Sequence, residues 1–138
     1  MPSPYRREHA VEYLQKCEAE REAGKTFNFL AVDDENRILG SFGLMELDKA
    51  PGYGEIGYWV AKDARGKGVA TRAVALLRDW AAQEKGCDLV ELVIHDDNAL
   101  SKRVAERTGF LDTGERRTAP RQEGATALDH AVYAWTPA

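Results

Sequence analysis

The chain has 138 residues, 43% of them apolar and 30% charged, with a formal net charge of −4. That length buries one core and leaves no room for a second, so residues 1–138 read as a single domain. Acidic balance with Lys and Arg interspersed among Asp and Glu gives no basic face for nucleic acid, and no apolar run approaches the roughly 20 residues of a membrane span.

From about Arg7 to Ala23 the residues Val11, Leu14 and Cys17 share one helical face, Glu12 and Lys16 pair outside it, and Gly24 stands at a C′ position. "FNFLAV" (Phe27–Val32) and "RILGSFGLMEL" (Arg37–Leu47) are β-rich runs joined by Asp33-Asp34-Glu35-Asn36, a hairpin pattern. After Pro51-Gly52, "YGEIGYWVA" (Tyr53–Ala61) gives a third strand. The stripe Ala70, Ala73, Val74, Leu77, Trp80 and Ala81 predicts a helix over 68–84, stopped by Gly86.

"DLVELVI" (Asp88–Ile94) is nearly continuous in apolar residues, as a strand covered on both faces would be. Asp97 or Asn98 caps a helix through Leu100, Val104 and Ala105 that stops at Gly109. Strands over about 110–118 and 127–135 complete the order α-β-β-β-α-β-α-β-β. Strand 53–61, helix 68–84 and strand 88–94 form a βαβ crossover, so those two strands are expected to be parallel within an otherwise antiparallel, mixed sheet. Trp80, Phe110, Tyr133 and Trp135 fall at core spacing.

Cys17 and Cys87 show neither CxxC nor zinc spacing, and no secretory signal opens the sequence. A reducing cytoplasm with both thiols buried is the expected setting. His9, His95 and His130 lack metal-ligand spacing, so no metal is expected. Arg116, Arg117 and Arg121 form a small basic patch that reads as surface.

The chemistry concentrates in "WVAKDARGKGVATRA" (Trp59–Ala73). Gly66 and Gly68 flank Lys67 directly before a helix, so several backbone N–H groups converge where the helix dipole and the charges of Arg65 and Lys67 also favour an anion. A pyrophosphate fits. The Walker A pattern fails because no Gly-Lys-[Ser/Thr] follows, and the dinucleotide fingerprint fails because position 71 is Thr71.

At these residues the chain resembles the GNAT superfamily of acyl-CoA-dependent N-acetyltransferases. "EIGYWVAKDARGKGVATRAV", followed one strand later by "NALSKRVAERTGF" (Asn98–Phe110), is most similar to its RimJ/RimL-type branch, the ribosomal-protein N-terminal acetyltransferases. The resemblance covers nearly the whole chain. It implies a GNAT-like mixed α/β fold with a mostly antiparallel sheet, helices on both faces, and acetyl-CoA as cosubstrate.

By the same resemblance, backbone amides of Arg65, Gly66, Lys67, Gly68, Val69 and Ala70 would bind the coenzyme A pyrophosphate. Asn98 would bond the pantetheine arm, Ser101 would sit near the thioester and meet the departing sulfur, and Lys102 or Arg103 would meet the nucleotide phosphate. The Trp59–Val60 end of its strand would splay from strand 88–94 to admit the pantetheine, and a backbone N–H near Val60 would polarise the acetyl carbonyl. Attack by an alkyl ammonium requires prior loss of a proton. Glu55 matches the acidic position that some relatives use as base, with Glu91, His95 and Asp96 as competitors.

The chain departs from the pattern in several places. Asp63 stands where the turn motif often opens with Gln or Arg, Val104-Ala105 stand where some relatives carry an acidic tyrosine, and Thr118-Ala119-Pro120 replace a strand glutamate of ribosomal-type relatives. The usual first strand and helix have no counterpart before "MPSPYRREHAVEYL". Strand 27–32 is therefore expected to be a sheet edge that a second copy covers in a homodimer. The acceptor is expected to be a primary amine, either a peptide N-terminus or a small molecule. The alternative is a catalytically impaired acyl-CoA-binding sensor or partner module.

Overall fold

Alternating apolar residues make Phe27–Val32 a strand (β1): Phe27, Phe29 and Ala31 are buried while Asn28 is exposed. In the computed structural model, which describes residues 26–120 and 122–137, β1 is followed by β2 (Ile38–Met45) and β3 (Tyr53–Val60). A short 3-10 turn, Lys62–Ala64, leads to α1 (Val69–Lys85), β4 (Leu89–His95), α2 (Ala99–Arg107), β5 (Leu111–Arg117) and β6 (His130–Trp135). The helix expected over 7–23, with Cys17 and His9, lies outside the described residues, as does Arg121.

The six strands form one sheet in the order β1-β2-β3-β4-β6-β5. β3 and β4 are parallel, as a βαβ crossover requires, and every other neighbouring pair is antiparallel. The β1–β2 turn is held by Asp33, whose Oδ1 accepts from the backbone N–H of Glu35 (2.8 Å) and Arg37 (3.0 Å) while Oδ2 accepts from Arg37 Nε (2.9 Å). Among the described residues β1 is one edge of the sheet and β5 the other.

Both described helices pack on the sheet and on each other. The apolar stripe of α1 turns Val69, Ala73, Val74, Leu77 and Ala81 inward, against a core that includes Phe29, Phe42, Leu44, Ile56, Val90 and Leu92. Full burial of one such leucine contributes about 2 kcal/mol. Trp80 meets Phe27 and Phe29 edge-on, at 5.4 and 5.1 Å between ring centroids. Phe110 and Tyr133 are buried, and Trp135 packs beside Phe110, so the aromatic residues read as core are core or pack against it. Gly86, in the left-handed region, ends α1, and the free Cys87 behind it is buried.

The last strand starts three residues later than its sequence pattern suggests, at His130. Residues 125–129 run without regular structure, with Asp129 held by its neighbour's imidazole (Oδ1 to His130 Nδ1, 2.8 Å).

Candidate active site

The β3–β4 ladder is short. Its register pairs Tyr53 with Leu89, Gly54 with Val90 and Glu55 with Glu91, and it stops there although β3 continues to Val60 and β4 to His95. The sheet therefore opens into a cleft between the C-terminal halves of two parallel strands, where ligands of α/β sheets bind. Trp59 and Val60 lie on the open segment of β3. The Ala61 N–H donates to Leu39 O (2.8 Å), away from the cleft, so strand alternation turns the N–H groups of Val60 and Tyr58 toward it.

The glycine turn closes the same end. Gly66 and Gly68 have φ of 76° and 78°, a backbone conformation that a side chain disfavours, and a Cβ at either would meet nothing within 4 Å. Arg65, Lys67 and both glycines are exposed, whereas Val69 is buried and anchors the start of α1. No side chain caps α1. Its first backbone bond runs from Arg72 N–H to Gly68 O (3.1 Å), so the amides before Arg72, those of Val69 and Ala70 among them, emerge at the open helix end. Arg65 Nε donates to Val60 O (3.1 Å), which ties the basic turn to the lip of the cleft.

The opposite lip is the start of α2. Asn98 caps it: its Oδ1 accepts from the Ser101 N–H (3.1 Å), so this oxygen serves the helix. Ser101 Oγ accepts from the Tyr58 hydroxyl (3.0 Å), a contact across the cleft between residues 43 positions apart. Lys102 reaches back, its Nζ donating to Asp96 O (2.8 Å), while Arg103 is exposed. Of the two basic residues considered for a nucleotide phosphate, Arg103 is thus the one that projects to solvent. Tyr58 was missed by motif reading; strand alternation, which puts it on the same face as the buried Ile56, was the only signal for it.

The base candidates separate by environment. Glu55 is 8% exposed and sits on the last rung before the cleft opens. Glu91, beside it, accepts from the Tyr53 hydroxyl (2.6 Å) and pairs with Arg117 Nη1 (3.0 Å). Burial, then the Glu91 carboxylate, holds the Tyr53 phenol well above its ordinary range. Asp96 is paired with Arg116, which keeps its carboxyl below the usual range, and His95 lies between Asp129 (3.4 Å) and Asp97 (3.9 Å). Among the described residues no group of three or more His, Cys, Asp and Glu is placed to hold a metal ion. Nor is any described helix long and apolar enough to cross a membrane.

Arg117, read from sequence as surface, is the counter-charge of a carboxylate whose side chain is only 7% exposed. Arg117→Met is expected to cost about 3 kcal/mol of stability, because it strands that buried charge. Adding Glu91→Gln should recover part of the loss, and urea unfolding of both variants measures it.

A family profile described as the acetyltransferase (GNAT) domain matches residues 1–111. The chain belongs to the GNAT acetyltransferase family. Among the relatives are two from Bacillus subtilis, YdaF and YjcK, both with N-acetyltransferase names. YdaF, named for the ribosomal class, is 36% identical over 83 residues, which are 60% of this chain and 45% of YdaF. YjcK is 31% identical over 129 residues, 93% of this chain and 69% of YjcK. The chain thus spans less than half the length of one relative and about two thirds of the other. The ribosomal-protein-S5-alanine acetyltransferase of Vibrio fischeri superposes with a TM-score of 0.73 at 26% identity, covering 91% of this chain and 69% of that one. The GNAT resemblance drawn from "EIGYWVAKDARGKGVATRAV" and "NALSKRVAERTGF" is borne out, as is the mixed, mostly antiparallel sheet with one parallel pair.

Proposed function

We propose that the chain binds acetyl-CoA in the cleft between β3 and β4 and transfers the acetyl group to a primary amine. The observation that carries this reading is the ladder that stops at Glu55 and Glu91, opening β3 and β4 at the same end as the glycine turn. Pyrophosphate at the amides of residues 65–70 would leave the pantetheine arm to run along the open strand edges, its amides replacing the missing strand bonds. Asn98 would bond that arm through the N–H groups of its side-chain amide, its backbone groups being engaged with His95 and Lys102, and Arg103, with Lys102 after release from Asp96, would meet the nucleotide phosphate. The Val60 N–H would polarise the acetyl carbonyl, Ser101 would meet the sulfur, and Glu55 would take the acceptor proton, directly or through water.

The names of YdaF and of the Vibrio fischeri enzyme support a ribosomal-protein acceptor, here an exposed peptide N-terminus; a small amine is the second choice. The buried free Cys87 suits a reducing cytoplasm. A second copy seated on the β1 edge would give a homodimer. Titration of acetyl-CoA into the protein, with NAD and ATP alongside, tests the cofactor. Release of free thiol is then followed with an alanine-initiated peptide and with spermidine. Selective binding with amine-dependent release is expected. Binding without release leaves an acyl-CoA-binding module, and absence of acetyl-CoA binding overturns the reading.

A further inference from the structure

The contact between Tyr58 and Ser101 is a polar bridge across the proposed cleft, and it joins β3 to α2 beyond the point where the strands part. Both ends are fixed. The Tyr58 ring stacks on Phe42, at 5.3 Å between centroids and 16° between planes, and the Ser101 backbone is pinned by the Asn98 cap. A serine hydroxyl has one hydrogen to give and two lone pairs to accept with. Serines in a first helical turn ordinarily return that hydrogen to nearby backbone, but among the described residues no such bond is made by Ser101.

We propose that Tyr58 is a positioning residue for thiol release: by donating its hydroxyl hydrogen to Ser101 Oγ, it leaves the Ser101 hydrogen directed at the sulfur that departs on acetyl transfer. This rests on the transferase reading above. Burial raises the Tyr58 phenol above its ordinary value, so the donor stays protonated at neutral pH. A hydrogen bond received by Ser101 also polarises the one it gives. The tyrosine that α2 lacks at Val104 and Ala105 is thereby matched by a phenol from the facing strand, acting through the serine.

In the transfer itself the amine lone pair forms the C–N bond, and the C–S bond breaks with its electron pair going to sulfur. The nitrogen proton passes by way of the base to water, and the thiolate takes a proton from water. Ser101 gives that thiolate a hydrogen bond while Tyr58 keeps its own proton throughout.

The test compares the unmodified protein with Tyr58→Phe, Ser101→Ala and the double variant. Thiol release is followed at saturating acetyl-CoA with the alanine-initiated peptide or spermidine, whichever the unmodified protein accepts. Tyr58→Phe keeps the ring on Phe42, so acetyl-CoA affinity and melting temperature are expected to hold. Its kcat should fall about tenfold with KM for acetyl-CoA unchanged. The double variant should be no slower than Ser101→Ala, because the phenol acts only through the serine. An unmodified protein that releases thiol while Tyr58→Phe keeps its kcat, or a Tyr58→Phe loss that adds in full to that of Ser101→Ala, overturns the positioning role alone. No thiol release from the unmodified protein with either amine overturns the transferase reading and the positioning role with it.

Discussion

Gly68→Val is expected to weaken acetyl-CoA binding by about a hundredfold, close to 2.7 kcal/mol of binding free energy. The loss has two sources. A β-branched residue at φ 78° strains the backbone that aims the amides, and its side chain would fill the space where the pyrophosphate is proposed to sit. The fold should survive, since a Cβ there meets no atom of the protein within 4 Å. Gly114→Val is the matched control. Gly114 has φ 82° and equally open surroundings, but it lies in β5, at the far edge of the sheet. Equal destabilisation of the two variants in urea, with acetyl-CoA binding lost only at Gly68, would separate strain from ligand contact. Equal affinity in both would place the anion elsewhere.

The second large effect concerns the base. Glu55→Gln is expected to lower kcat about a hundredfold at neutral pH with little change in KM for acetyl-CoA. The sign of its pH dependence is informative. Without a base, only acceptor that is already deprotonated can react, so the variant's rate should climb about tenfold per pH unit until the acceptor pKa, near 8 for a peptide N-terminus and above 10 for an alkyl amine. The unmodified protein should show a shallower rise. A variant whose kcat matches the unmodified protein at neutral pH would transfer the role elsewhere. Glu91 is a poor successor, since Tyr53 and Arg117 already engage it.

What could be read from sequence was what depends on near neighbours along the chain. Phe27–Val32 alternates over Phe27 to Ala31 and is a strand at those bounds, and Gly68 and Gly86 bracket α1 because only glycine enters the left-handed region cheaply at both ends. The mixed sheet followed from one crossover. Contacts between distant segments were not legible: Tyr58 meets Ser101 from 43 residues away, and Tyr53 meets Glu91 from 38. Glu91 could therefore be taken as a competing base, and Arg117 as surface, until the register of β3 on β4 and the position of β5 placed them together. β5 itself is exposed along most of its length and was recognisable chiefly from the buried Phe110 before it and the strand that follows.

The abbreviated β3–β4 ladder has a mechanical meaning as well. β1-β2-β3 and β4-β6-β5 are two three-stranded plates joined through three register pairs, with α1 as the crossover that links them along the chain. A ligand laid in the gap would act as a splint between the plates. Whatever it gains in binding then becomes resistance to unfolding, about 2.7 kcal/mol when its free concentration is a hundred times its Kd. The lifetime of the folded chain in a cell would on that account follow the supply of acyl-CoA.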